Sequence, residues 1–148
     1  MMNTEILNMS EHHIKALALI EAECFSTPWT ENGLFEELSN NNARFYVALC
    51  DGVVAGYIGA HNVVGEVYIT NVAVSSSFRK NGIGSALVNH LLGESAKENA
   101  DFVTLEVRKS NENAIKLYEK TGFSVVGERK DFYSSPREDA LLMTKFLR

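Results

Sequence analysis

The residues best suited to chemistry form a glycine-containing turn near the middle of the chain. Gly82 and Gly84 stand at the predicted start of a helix, and Arg79 and Lys80 precede them. The first N–H groups of a helix lack intrahelical partners, and the helix dipole favours negative charge at that end. Glycine carries no side chain and so lets an anionic ligand approach the backbone closely. The turn is therefore predicted to bind a phosphate group.

Two other phosphate-binding motifs do not fit this turn. A dinucleotide fingerprint, G-x-G-x-x-G/A, needs a glycine or alanine where Leu87 stands, and this turn lies mid-chain after predicted hairpins. A P-loop needs Gly-Lys followed by Ser or Thr, and the sequence has no such tripeptide. The pattern that remains is R-x-x-G-x-G at residues 79–84, after a strand containing Asn71-Val72-Ala73-Val74.

The elements that must position this turn follow from hydrophobic periodicity. Ile83, Leu87 and Leu91 recur every four residues, which is typical of a helix packed on a sheet. Asp51-Gly52 is the strongest hairpin signal. The predicted elements are a strand at 4–9, helices at 10–24 and after Thr30, strands at 45–50, 53–61 and 66–74, a helix from Gly82 to about Asn99, a strand at 102–107, a helix from Asn111 to Gly122, and strands at 123–130 and 140–146 around a loop with Pro136. This order predicts a mixed sheet with helices packed on it.

Length and composition bound the class of protein. The 148 residues are predicted to form one domain, residues 1–148, with 45% hydrophobic and 22% charged residues. The net charge of −5 argues against nucleic-acid binding and suits a basic peptide or amine partner. The sequence shows no signal-peptide core and no apolar run of transmembrane length, so we expect a cytoplasmic protein without membrane association.

The potential metal and redox residues are few. Cys24 and Cys50 each lie in an apolar run, and we expect two buried, reduced thiols. The four histidines show no metal-binding spacing with cysteines or carboxylates, so no metal is expected.

Two motifs together resemble the signature of the GCN5-related N-acetyltransferase (GNAT) superfamily. Residues 79–84 match its acetyl-coenzyme A pattern, [Q/R]-x-x-G-x-[G/A], and residues 111–123 match N-x-x-A-x-x-L-Y-x-x-x-G-F. Further matches at 25–30, 105–111, 129–133 and 138–143 make the chain similar to the RimI-type ribosomal-protein alanine N-acetyltransferases. The resemblance spans almost the whole chain.

The resemblance implies a fold and a mode of coenzyme binding. The fold is mixed α/β (α+β), with a mostly antiparallel seven-stranded sheet splayed between strands 4 and 5 and about four flanking helices. The pyrophosphate would bind the turn amides, and the pantetheine arm would bind the free edge of strand 4, where one backbone group polarises the thioester carbonyl. The implied coenzyme contacts are Val72, Ala73, Val74, Arg79, Lys80, Asn81, Gly82, Ile83, Gly84, Ser85 and Asn111.

The resemblance also implies catalytic residues. Glu106 would remove a proton from the acceptor amine, directly or through a water, although a glutamate in this strand could also be a solvated surface residue. Glu66, on the neighbouring strand, is a rival base. Tyr118 would protonate the leaving thiolate, since a tyrosine pKa near ~10 lies above a thiol pKa near ~8.5; a packed aromatic ring is the alternative.

The acceptor side is expected to include Trp29, Glu66, Tyr133 and Glu138. Trp29, Tyr133 and Glu138 could equally be loop residues that only pack and cap. The implied reaction is direct attack of a protein's N-terminal α-amine on acetyl-coenzyme A, with the N-terminal alanine of a small-subunit ribosomal protein as the expected acceptor. The alternatives are acetylation of lysine, a polyamine or a small-molecule amine, and a non-catalytic acetyl-coenzyme A sensor.

Overall fold

Residues 3–148 are described by a computed structural model, in which seven strands and four α-helices follow in the predicted order. The first two residues of the predicted domain, residues 1–148, lie outside this part. The strands are β1 (Thr4–Asn8), β2 (Ala43–Cys50), β3 (Val53–Val63), β4 (Glu66–Val74), β5 (Phe102–Arg108), β6 (Ser124–Ser134) and β7 (Arg137–Phe146). The helices are α1 (Ile14–Cys24), which follows a 3-10 turn, α2 (Glu31–Glu37), α3 (Ile83–Lys97) and α4 (Glu112–Lys120).

The strands form one sheet in the order β1-β2-β3-β4-β5-β7-β6, with every neighbouring pair antiparallel except β4 and β5. The parallel pairing of β4 with β5 covers only Glu66 to Tyr68 against Phe102 to Thr104. Beyond these residues the two strands separate, which leaves a fork that opens toward their carboxyl ends. The predicted fold, with its splay between strands 4 and 5, is confirmed.

Helices cover both faces of the sheet. The predicted stripe of Ile83, Leu87 and Leu91 on α3 is buried against one face, with exposed fractions of 2%, 0% and 0%. On the other face, α1 buries Leu17 against a second cluster that includes Tyr57 of β3. Burial of each large aliphatic side chain contributes roughly 1.5–3 kcal/mol, so these two layers hold the fork from both sides.

Three predicted helix ends are confirmed. The Thr30 hydroxyl accepts a hydrogen bond from Gly33 N at 3.0 Å at the start of α2. Asn111 Oδ1 accepts one from Ala114 N at 3.1 Å at the start of α4. Gly122, with φ of 103°, follows the end of α4. Such N-caps each stabilise a helix by about 1 kcal/mol.

The last hairpin differs from its prediction. Strand β6 continues to Ser134 and β7 begins at Arg137, so the loop is a short turn at Pro136 instead of the predicted nine residues. The register shifts between Arg129 and Tyr133. This irregularity breaks the alternation from which a strand is recognised in sequence.

No helix within residues 3–148 is long and apolar enough to cross a membrane.

Candidate active site

A cavity of about 500 Å³ lies in the fork between β4 and β5. One wall comes from the end of α1 and the loop that follows it, which contribute Glu21 and Trp29. The opposite wall comes from β5 and the β6–β7 hairpin, which contribute Glu106 and Tyr133. The loop after α1 contacts the turn of the β6–β7 hairpin, because the Ser26 hydroxyl donates a hydrogen bond of 3.4 Å to Ser135 O.

A β-bulge shapes the β4 side of the cavity. Strand β3 pairs Gly59 with Asn71 and Ala60 with Ile69, so Thr70 is an extra residue in β4. An extra residue reverses which face the following side chains point to. Asn71 therefore reaches toward α1, while Val72 packs with Ile69 on the α3 side.

The glycine turn has the geometry of an anion site. Gly82 is left-handed, with φ of 77°, and nothing lies within 4 Å of the place where its side chain would be. The first backbone bond into α3 runs from Ala86 N to Gly82 O at 3.0 Å, so the amides of residues 83–85 precede the helical ladder. Lys80 and Asn81 are exposed beside them. These groups fit a pyrophosphate.

The Arg79 side chain forms hydrogen bonds within the protein. Its guanidinium donates to Cys24 Sγ at 3.3 Å and to Val74 O at 3.2 Å.

The prediction of two buried cysteines is half wrong, since Cys50 is buried but Cys24 is only partly buried and lines the cavity. The reason is that Cys24 lies in the last turn of α1, where the helix leaves the sheet to form the cavity wall.

Glu106 lies on the cavity wall, and only 7% of its side chain is exposed. Its Oε2 pairs with Arg129 Nε at 2.8 Å, and its Oε1 accepts a hydrogen bond from the Tyr68 hydroxyl. Burial, together with this hydrogen bond, raises the pKa of Tyr68 well above its usual range. Tyr68 thus stays protonated as a donor, and the Glu106 carboxylate is held from two sides.

Tyr118 projects from α4 into the same cavity. Burial raises the pKa of Tyr118 well above its usual range, so the hydroxyl stays protonated. Within residues 3–148 this hydroxyl has no hydrogen-bond partner. No fully buried polar side-chain atom in this part of the chain lacks a partner, so the hydroxyl must be accessible. Because Tyr118 lines the cavity, its hydroxyl opens onto the cavity. The ring packs edge-on against Phe123, with 5.6 Å between centroids.

The other predicted residues divide into two groups. One group lines the cavity: Trp29, Tyr133, Val72 and Asn111. The guanidinium carbon of Arg108 lies over the Tyr133 ring, 4.2 Å from the ring centroid. The remaining coenzyme candidates, Ala73, Val74 and residues 79–85, lie outside its lining, along β4 and at the start of α3.

Glu66 and Glu138 do not line the cavity. Glu66 pairs with Phe102 at the closed end of the fork, four residues or about 13 Å along the strand from Glu106. Glu138 accepts a hydrogen bond from Ser110 N at 2.6 Å and pairs with Arg108 at 3.3 Å. Hydrogen bonding at Ser110, aided by Arg108, holds the pKa of Glu138 below its ordinary value. Both oxygens of Glu138 therefore bind the end of β5 and the loop that follows it.

Glu21 lines the cavity although it is not among the predicted site residues, and only 1% of it is exposed. Its carboxylate accepts hydrogen bonds from Trp29 N at 2.8 Å, the Tyr57 hydroxyl at 2.7 Å and Asn71 Nδ2 at 2.9 Å. A signal was present, since Glu21 follows Leu17 by one helical turn and therefore sits on the inward face of α1.

In the part of the chain that the structure describes, no three His, Cys, Asp or Glu side chains are grouped to hold a metal.

The chain belongs to the acetyltransferase (GNAT) family, whose profile matches residues 14–123. Within that family it is similar to the [ribosomal protein bS18]-alanine N-acetyltransferase of Escherichia coli K12, at 32% identity over 144 residues and 96% of each chain. An N-alpha-acetyltransferase of Sulfurisphaera tokodaii is 39% identical over 122 residues, covering 73% of this chain and 72% of that protein. The crystal structure of the E. coli ribosomal-protein-S18-alanine N-acetyltransferase superposes with a TM-score of 0.90 at 28% identity, over 98% of this chain and 94% of that one. These matches confirm the predicted family, the acetyltransferase class and the RimI-type resemblance.

Proposed function

We propose that this chain, as one cytoplasmic domain, transfers acetyl from acetyl-coenzyme A to the N-terminal alanine of a small-subunit ribosomal protein. The observation that carries the proposal is that Glu106 and Tyr118 open onto one cavity in the β4–β5 fork. The similarity to the E. coli enzyme, whose name specifies bS18 alanine, supports the choice of acceptor.

The donor would bind along the β4 side of the fork. The amides of residues 83–85 would hold the pyrophosphate, with Lys80 and Asn81 beside them. Alternate residues of β4 direct their N–H and C=O groups away from β3, toward the open fork. The pantetheine amides would pair with this edge at residues 72–74, and Asn111 would contact the coenzyme at the start of α4.

The acceptor would enter from the side of Trp29 and Tyr133. Its α-amine, with a pKa near ~7.7–8.0, demands less deprotonation at neutral pH than lysine at ~10.4. Glu106 would take the proton as the amine nitrogen attacks the thioester carbon. Collapse of the adduct breaks the C–S bond, and Tyr118 would donate its proton to the departing sulfur.

A direct assay of the acceptor tests this function. Wild-type protein is given acetyl-coenzyme A and a basic peptide that begins with alanine and contains lysine, and mass spectrometry locates the acetyl group. The control is the same peptide with its N-terminus blocked. We expect acetylation at the α-amine and none of the blocked peptide. Equal acetylation of the blocked peptide would mean that the acceptor is lysine, and binding of the coenzyme without transfer would mean a sensor.

A further inference from the structure

Glu21 is a buried carboxylate that the proposed chemistry does not use. All three of its hydrogen-bond donors are neutral, and two of them, Tyr57 and Asn71, lie 36 and 50 positions away in the chain. Burial of a carboxylate is costly unless its oxygens are hydrogen-bonded. Glu21 therefore ties α1 to β3 and to the bulged stretch of β4 through hydrogen bonds that an apolar side chain could not make.

The side chain of Asn71 is held at both ends. Its Oδ1 accepts a hydrogen bond of 2.7 Å from the Thr70 hydroxyl, and its Nδ2 donates to Glu21 at 2.9 Å. Gly59 lies opposite, and a side chain there would come within 2.8 Å of Asn71 Oδ1. The Asn71 side chain is therefore fixed by hydrogen bonds, in which the Glu21 carboxylate and the Tyr57 hydroxyl both accept from its amide.

The bulge lies immediately before residues 72–74. A rotation of the backbone at Asn71 would turn the N–H and C=O groups of the next residues away from the fork. Trp29 depends less on Glu21, because its ring also packs against Phe45 with 5.7 Å between centroids. Replacing Glu21 should therefore disturb the position of the β4 edge more than the position of Trp29 on the acceptor side.

We propose that Glu21 is a positioning residue for acetyl transfer, which acts through Asn71 to aim the β4 backbone at the thioester. This inference rests on the proposed use of the β4 edge to bind the donor. Glu21 is itself almost fully covered, so it acts through its hydrogen bonds rather than by touching the substrates.

The experiment exchanges the two side-chain groups. Glu21→Gln places an amide where the donors need a carboxylate acceptor, and Asn71→Asp places a second carboxylate beside Glu21. The double variant Glu21→Gln/Asn71→Asp restores the pairing in the opposite sense, since the introduced amide can donate to the introduced carboxylate, which still accepts from Thr70. Asn71→Ala is a second test that leaves Glu21 bonded to Trp29 and Tyr57. Glu5→Gln, on the exposed face of β1, is the matched control.

Each single variant at position 21 or 71 should lower kcat about tenfold or more, because small misplacements at a reacting centre are costly. The KM for the acceptor peptide should stay within about twofold, and the double variant should recover most of kcat. A fall in melting temperature with unchanged kcat, or a double variant no better than the singles, would overturn the proposal.

Wild-type protein assayed in parallel separates this inference from the proposed function. If it acetylates only lysine, the proposed acceptor is wrong, and the same kcat ratios on lysine still decide the role of Glu21. If it acetylates no amine, both proposals are wrong.

Discussion

The hydroxyl of Tyr68, on β4, donates a hydrogen bond to the carboxylate of Glu106, on β5. Tyr68 is also the last residue of β4 that pairs with β5, opposite Thr104. The two strands are thus joined by a side-chain contact at the point where their backbones separate. This contact places a carboxylate at the apex of the fork and fixes its direction.

Replacing Tyr68 by phenylalanine should loosen this arrangement. Glu106 keeps its pair with Arg129 but loses the donor from β4, so we expect a roughly tenfold lower kcat and a free energy of unfolding lower by about 1 kcal/mol. Steady-state kinetics and urea unfolding measure the two quantities. Tyr46→Phe is the control, since the Tyr46 hydroxyl makes no hydrogen bond within residues 3–148. A Tyr68→Phe variant with wild-type kcat would show that Arg129 alone positions Glu106.

Replacing Glu106 by glutamine tests the proposed base. Without the carboxylate the acceptor must lose its proton to solvent, and the neutral fraction of an α-amine falls as the pH drops below ~7.7. The variant should therefore lose most rate at low pH, which a kcat profile from about pH 6 to about pH 9 would reveal. Glu66→Gln serves as the comparison, because Glu66 lies at the closed end of the fork. An equal loss in that variant would move the base to Glu66.

Tyr118→Phe tests the proposed acid. The ring would still fill its place beside Phe123, so we expect coenzyme affinity to be unchanged while kcat falls about 100-fold. Because the pKa of Tyr118 is raised, its hydroxyl stays protonated above the usual tyrosine value near ~10. Ionisation of Tyr118 should therefore cause no decline in wild-type kcat below about pH 10. Unchanged turnover in the variant would remove Tyr118 from the mechanism.

Much of the fold could be predicted because its signals are local. Helix α3 shows apolar residues that recur every four positions, and the caps Thr30 and Asn111 indicate the helices that follow them. The fork between β4 and β5 has no local signal and was expected only from the family resemblance. Parallel strands that diverge have the same sequence pattern as parallel strands that do not.

The parts of the site that escaped prediction depend on pairing between distant residues. The bulge at Thr70 lies inside an uninterrupted strand pattern, and only its register against Gly59 reveals it. Glu21 meets Asn71 across 50 positions. The prediction of Glu66 as a rival base follows from its place on the strand next to β5, but the parallel register places it opposite Phe102 rather than Glu106.

Gly82→Ala tests the anion site at the start of α3. The residue has φ of 77°, so an alanine there would be strained by roughly 1–2 kcal/mol and would shift the turn that presents the amides of residues 83–85. We expect the dissociation constant for coenzyme A to rise about tenfold, as measured by calorimetry. Gly93→Ala is the matched control: Gly93 lies within α3 with nothing within 4 Å of the position that a methyl group would take, so alanine there should stabilise the helix by about 1 kcal/mol and leave binding unchanged. If both variants bound coenzyme A like the wild type, the phosphate would have to be held elsewhere, and the free amides at the start of α3 would have no ligand.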